Sequence, residues 1–402
     1  MYAKIGMVKL VCLMLALSFP HIVLSDELQK GYRSLHNSTI PFLNGINSPW
    51  KAFGTDVGKH PNWGVLHDIH FFDSLFTEVA KAGGNSVRWW VHCDGRSTPE
   101  FDNSGMVAGL DPEFFVHFDA ILNSAAQRGI LLMPVLWSFD MANDNTGGAG
   151  PYGGKHITLI TDSACTRSYI DNCLIPLVKR YEKHPALLAW EICNEPEWML
   201  DSDGSTLQRT NAKQLQTWIG RLASAIRKQN PAALVTVGSA SLKWNWNNPT
   251  GTERNLWSDS ALHAATGDSL SHLDFYEVHY YSWMIGSTWS YSPFDFHARR
   301  WKLDKPVLIG ELPGKGQAGY KTILQMYRWA LDSSYAGAMG WSFIGTDQEG
   351  SWNDIKPAIQ AINALPVVKT PGIEITAKKG EYFIAYDIDH IRNINRYSVY
   401  TM

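Results

Sequence analysis

Eight short apolar runs separated by longer amphipathic ones constrain this chain more than any other feature. They are Phe42 to Ile46, Ser86 to Cys93, Ile130 to Trp137, Leu187 to Asn194, Leu234 to Ser239, Phe275 to Tyr281, Val307 to Glu311 and Ala338 to Phe343. Each has the length and composition of a strand buried on both faces. Between them, Asp68 to Ala82, Pro112 to Arg128, Thr166 to His184, Leu207 to Gln229 and Lys321 to Ser333 carry helical spacing, and Asp354 to Leu365 supplies a closing helix. Gly83-Gly84 and Gly129 stand where helix-stopping glycines are expected. A parallel sheet needs both faces covered, and closure removes its edges, so eight βα units predict one closed (β/α)8 barrel. A chain of 402 residues suits that as a single domain. Beyond it, Gly372 to Tyr386 alternates about a Lys-Lys-Gly turn, which predicts a short β-like extension within 366–402.

The first 25 residues read as a secretory signal: Lys4 and Lys9 precede the apolar Leu10 to Leu17, and Val23-Leu-Ser25 offers a cleavage site. The run is short for a membrane span and Pro20 interrupts it, so secretion of residues 26–402 is expected. Asn37-Ser-Thr39 is then a candidate glycosylation site. A net charge of −3 without basic runs argues against a nucleic-acid or anionic-membrane partner, and a monomer is the default expectation. Without Cys12, four cysteines remain. An oxidising compartment favours at least one disulfide, with Cys165 and Cys173 the first choice, closing a short loop, while Cys93 and Cys193 either pair or stay free. The spacings do not suit a zinc site.

Two of the runs end in glutamates, Glu195 in Leu187-Leu-Ala-Trp-Glu-Ile-Cys-Asn-Glu-Pro196 and Glu311 in Pro306-Val-Leu-Ile-Gly-Glu-Leu-Pro-Gly314. Strand carboxyl ends of such a barrel converge on one open face. Two carboxyl groups there suit glycosidic bond cleavage, one protonating the leaving oxygen while the other attacks or activates water. The 17 tryptophans, several beside polar strand ends, offer rings for sugar stacking.

Trp190-Glu-Ile-Cys-Asn-Glu-Pro196 resembles the fourth-strand signature of glycoside hydrolase family 5, and the mature chain is similar throughout to that family's animal, particularly molluscan, endo-β-1,4-mannanases. The resemblance implies a single TIM barrel, no metal or organic cofactor, and a β-mannan polysaccharide as partner. It also implies Glu195 as acid/base and Glu311 as nucleophile in a retaining double displacement, which needs carboxyl groups about 5 to 5.5 Å apart. Arg88, Asn194, His279 and Tyr281 are implied as supporting residues and Trp341 as the platform under the sugar at the cleaved bond. Arg88 has its own rationale, since a guanidinium between Val87 and Trp89 on a buried strand needs an anionic partner. Trp137, Trp198 and Trp283, with Trp244 and Trp246, are further stacking candidates. Where many members of the family end strand three in histidine, this chain has Trp137 followed by Ser138-Phe-Asp140. An endo-β-1,4-glucanase on the same scaffold, a catalytically silent secreted sugar-binding protein and a structural protein without a sugar site are the alternatives.

Overall fold

The computed structural model describes residues 42–143, 156–317 and 321–365, with two further strands at 374–378 and 381–385. The signal-like segment, Asn37 and most of the Met141 to Gly154 loop lie outside the described residues. Eight parallel strands close into a barrel: β1 (Leu43–Asn47), β2 (Ser86–Cys93), β3 (Leu131–Ser138), β4 (Trp190–Asn194), β5 (Val235–Ser239), β6 (Tyr276–His279), β7 (Val307–Pro313) and β8 (Gly337–Trp341), each beside its neighbours in sequence and β1 beside β8. Every residue of these strands is buried, as the sheet's two-sided cover requires, except Leu131, which is half-buried at a strand start.

The covering helices are α1 (Ile69–Lys81), α2 (Pro112–Gln127), α3 (Ser163–Tyr169, continuing through a π turn at Ile170–Leu174 to Ile175–Tyr181), α4 (Ala212–Gln229), α5 (Asp259–Thr266), α6 (Ile323–Asp332) and α7 (Trp352–Asn363). Local chemistry sets their starts. Asp68 accepts from the Phe71 amide and Asp111 from those of Glu113 and Phe114, with Pro112 at the first position of α2. On α1, Phe72, Leu75, Phe76 and Val79 bury one face. Gly83 and Gly129 take φ of +83° and +68°, the left-handed stop expected of them.

Three boundaries differ from expectation. The helix expected from Leu207 starts at Ala212, because Asn211 and Gln214 form a capping box there and Leu207 lies exposed. Helix α5 escaped notice because it is short and buries only Leu262. Between β6 and β7 the chain forms 3-10 turns at Ser282–Met284 and Ala298–Trp301 in place of an α-helix, with Phe294 and Trp301 buried there.

The interior is layered. Leu43, Met133, Leu188, Phe275, Leu308 and Met339 pack together near the strand starts, separate from the larger core that includes the helix faces. At 374–378 and 381–385 two strands of the expected hairpin are present, β9 (Glu374–Lys378) pairing antiparallel with β10 (Glu381–Ala385).

The Cys165–Cys173 disulfide is not formed: all four of Cys93, Cys165, Cys173 and Cys193 are free and buried. Cys165 and Cys173 lie on α3, not on a loop, and eight residues of helix separate Cα atoms by roughly 12 Å, beyond the ~7 Å a disulfide spans. Cys165 Sγ instead meets Met106 Sδ at 3.7 Å, and Cys173 Sγ faces His92 Nε2 at 3.8 Å. Alkylation in denaturant without reductant is expected to label each of these four cysteines. A cross-linked Cys165–Cys173 peptide in the digest would contradict the helix.

Candidate active site

Strand register brings the functional side chains to one mouth of the barrel. Asn47 pairs with Arg88, Ser138 with Asn194, Asn194 with Gly238, and His279 with Glu311. Glu195 is the first residue after β4 and takes a left-handed φ of 47°, rare for a residue with a side chain. Its amide donates to Gly238 O at 2.6 Å, and Pro196–Met199 follows as a 3-10 turn. That turn is anchored by Glu197, wholly buried, which accepts from Ser239 Oγ, Trp257 Nε1 and the Ala240 amide.

The two strand-end carboxylates meet. One carboxyl oxygen of Glu195, one of Glu311 and a ring nitrogen of His279 all lie within 4.8 Å of one another. His279 Nδ1 is 2.7 Å from Glu195 Oε1 and 3.5 Å from Glu311 Oε1. Trp198 Nε1 donates to Glu195 Oε2 at 2.7 Å. Glu311 accepts from Arg88 Nη1 on Oε1 and from Tyr281 Oη on Oε2, each at 2.6 Å.

Arg88 is fully buried and finds three carboxylates: Glu311, Glu191 through two bonds of 2.6 and 2.7 Å, and Glu277 at 3.0 Å. Asn47 and Asn194 accept its remaining N–H groups, so the Asn194 Nδ2 amide is left as a donor at the cleft it lines. Asn47, Glu191 and Glu277 were missed in the sequence. The available signal was a lone acid inside an apolar run, as in Trp190-Glu-Ile and Tyr276-Glu-Val.

Burial raises both glutamates, which differ in the partners that oppose it. Burial pushes the Glu195 carboxyl up to about 7, against the opposing pull of the Trp198 bond and of Arg88. Burial, with the neighbouring Glu195, also raises Glu311, against the opposing pull of Arg88 and the Tyr281 hydroxyl. Burial lowers His279 to about 4, so the imidazole is neutral near pH 7.

The cleft above them has a volume of about 610 Å³. Trp341 lines it, as expected, in a cluster with Trp50 at 6.2 Å and Trp90 at 5.8 Å, both unforeseen. Trp198 and Trp283 line it too, 6.0 Å apart, with Phe139 beside Trp198. Trp137 does not. It is wholly buried, its ring against His92 and Tyr169 between the barrel and α3. Strand residues alternate faces; here the ring took the helix side, and Asp140, held by Ser138 Oγ at 2.6 Å, reaches the cleft. Trp244 packs edge-on against Trp289, and Trp246 against Trp301, away from the cleft lining.

A closed parallel barrel with paired carboxyl groups in an aromatic cleft at its carboxyl-end mouth defines the class of barrel glycosidases. The family model described as Cellulase (glycosyl hydrolase family 5) matches residues 47–347, and the chain belongs to that family. It is 32% identical over 349 residues to a mannan endo-1,4-beta-mannosidase of Mytilus edulis, covering 80% of this chain and 88% of that one. A second mannan endo-1,4-beta-mannosidase, from Cryptopygus antarcticus, is 30% identical over 388 residues, with coverage of 89% and 95%. The crystal structure of the Mytilus edulis beta-mannanase superposes with a TM-score of 0.70 at 30% identity, covering 81% of this chain and 92% of that chain.

Proposed function

We propose that this protein is a secreted endo-β-1,4-mannanase acting by retention, with Glu195 as acid/base and Glu311 as nucleophile. The observation that carries the reading is a pair of strand-end carboxyl groups, one oxygen of each within 4.8 Å of the other, in an aromatic cleft, in a chain about 30% identical to two mannan hydrolases. Inversion needs room for a water between carboxyl groups roughly 6.5 to 9.5 Å apart. Arg88 and Tyr281 hold Glu311 for attack, and the Asn194 amide is placed for a sugar hydroxyl. Trp341 is the floor for the sugar at the cleaved bond, with Trp198 and Trp283 stacking sugars further along.

The test is product formation from linear β-1,4-mannan, glucomannan, galactomannan and a neutral glucan such as hydroxyethylcellulose. Carboxymethylcellulose is a poor comparator, because Asp140, Glu195, Glu311, Asp347 and Glu349 line the cleft and, among the described residues, no Lys or Arg does. Short manno-oligosaccharides, with proton NMR showing the β-anomer first, support the reading. Cleavage of the glucan alone moves the substrate to cellulose-type chains, and binding without cleavage supports the silent sugar-binding alternative. Secretion is checked by the mature N-terminus, expected at Asp26, and the monomer by light scattering.

The pH profile of kcat/KM is expected to be a bell. Its alkaline limb lies near pH 7, because Glu195 must hold its proton to donate it and loses it as pH rises through about 7. Its acidic limb follows protonation of Glu311. Since the two carboxyl groups interact, the limbs belong to the pair.

A further inference from the structure

Glu277 is the one member of the barrel's charged layer that the mechanism above leaves unused. It sits on β6, two residues before His279 and wholly buried. A guanidinium has five N–H groups, and Arg88 gives all of them elsewhere: Nε to Glu191, Nη1 to Asn47 and Glu311, Nη2 to Glu191 and Asn194. Glu277 Oε1 lies 3.0 Å from a nitrogen whose hydrogen is already committed, neither of its oxygens accepts an N–H or O–H among the described residues, and the Glu191 carboxyl is close enough to share a proton with it. His279 Nε2 is likewise unpartnered and faces Glu277 Oε1 at 3.7 Å.

The surroundings are built for this carboxyl. A Cβ at Gly310 would collide with it, so the residue before Glu311 is kept small to admit it. The charged groups around it are Arg88 from β2, Glu191 from β4, His279 on its own strand and Glu311 from β7. Strand β5 brings Gly238 opposite it and no titratable side chain. One cation faces three buried carboxyl groups, so ionising all three would leave two surplus negative charges.

We propose that Glu277 is a positioning residue that works in its acid form: its O–H is the donor facing His279 Nε2, which keeps the imidazole proton on Nδ1, directed at Glu195 and Glu311. This rests on Glu195 being the proton donor. A neutral imidazole carries its hydrogen on one nitrogen only. With it on Nδ1, both neighbours of Glu195, His279 Nδ1 and Trp198 Nε1, are donors, and neither competes with substrate for the Glu195 proton. The same two donors stabilise the Glu195 carboxylate once the proton has gone. The opposite tautomer makes Nδ1 an acceptor that draws the proton away from the leaving oxygen. Burial and the adjacent Glu191 charge both favour the protonated form of Glu277.

The experiment is ¹⁵N NMR of the histidine-labelled enzyme without substrate, with His279 assigned from a His279→Asn variant, on wild type, Glu277→Gln and Glu277→Met. Wild type and Glu277→Gln, whose amide retains a donor, are expected to show the Nδ1–H tautomer, and Glu277→Met the Nε2–H tautomer. On mannan, Glu277→Gln is expected to keep kcat/KM within about threefold. Glu277→Met should lose roughly 100-fold, with its alkaline limb displaced upward because Nδ1 then binds the Glu195 proton. An Nε2–H tautomer in wild type, or a Gln variant as damaged as the Met variant, overturns the proposal. If Glu277→Met does not fold, the wild-type tautomer and the Gln variant decide. Because the tautomer is read without substrate, an enzyme inactive on mannan but carrying Nδ1–H defeats the mannan reading and leaves the Glu277 assignment standing.

Discussion

Replacing Glu311 by glutamine is expected to lower mannan hydrolysis by roughly 10⁴- to 10⁶-fold, the scale seen when a covalent nucleophile is removed. The substitution keeps shape and removes the attacking electron pair, so no change of leaving group restores turnover. Glu195→Gln is expected to behave differently. Loss of a general acid or base costs roughly 10²- to 10⁴-fold, but an activated aryl leaving group departs without a proton. With such a substrate, Glu195→Gln should release a rapid burst of phenol and then stall as the glycosyl-enzyme accumulates, because the water that resolves it lacks a base. A burst from Glu311→Gln, or none from Glu195→Gln, would exchange the two roles. The asymmetry has its origin in the surroundings: Glu311 is held by Arg88 and Tyr281, whereas Glu195 has the Trp198 N–H and the neutral His279.

Arg88→Met is expected to produce the largest loss of stability. Its guanidinium is the cation among Glu191, Glu277 and Glu311 inside the barrel, and all three carboxyl groups are buried. Removing one partner of a buried ion pair typically costs about 3–5 kcal/mol, since the remaining charge cannot recover its hydration. The deficit should depend on pH. Without Arg88 the buried glutamates bind protons more tightly folded than unfolded. Their contribution is therefore least damaging below the unfolded value of about 4.3 and worsens as pH rises through the raised folded values. Urea midpoints compared at pH 4.5 and pH 7.5 test this, the gap to wild type being larger at pH 7.5. Arg88→Lys is expected to recover only part of the loss, because a point ammonium cannot make the paired contacts to Glu191 and still reach Glu311. A gap independent of pH would mean that the glutamates stay neutral in the folded protein.

The charged layer and the cleft are one design. Arg88 serves Glu311 directly, while Glu191 takes two of its N–H groups and keeps the guanidinium oriented. Glu197, buried and with no cationic partner among the described residues, ties the turn after Glu195 to β5. That turn carries Trp198, which bonds the Glu195 carboxyl and lines the cleft, so positioning and stacking share a few residues.

The sequence by itself determined the eight βα units and the place of the two glutamates at strand ends. Apolar period, capping residues such as Asp111 and stop glycines such as Gly129 act within a few residues of where they stand. It also showed that Arg88 needs an anionic partner, because a charge within an apolar run is costly wherever the chain goes. The partners themselves are a matter of closure: Glu191 and Glu311 lie 103 and 223 residues away in sequence, and only strand register brings them to one guanidinium. The tertiary structure likewise turned Trp137 toward the helices and brought Trp50 and Trp90 into the cleft. It put Cys165 and Cys173 on one helix, where no disulfide can span them. In each case the residue type was compatible with either side of a strand or either kind of connection, and packing against residues distant in the chain made the choice.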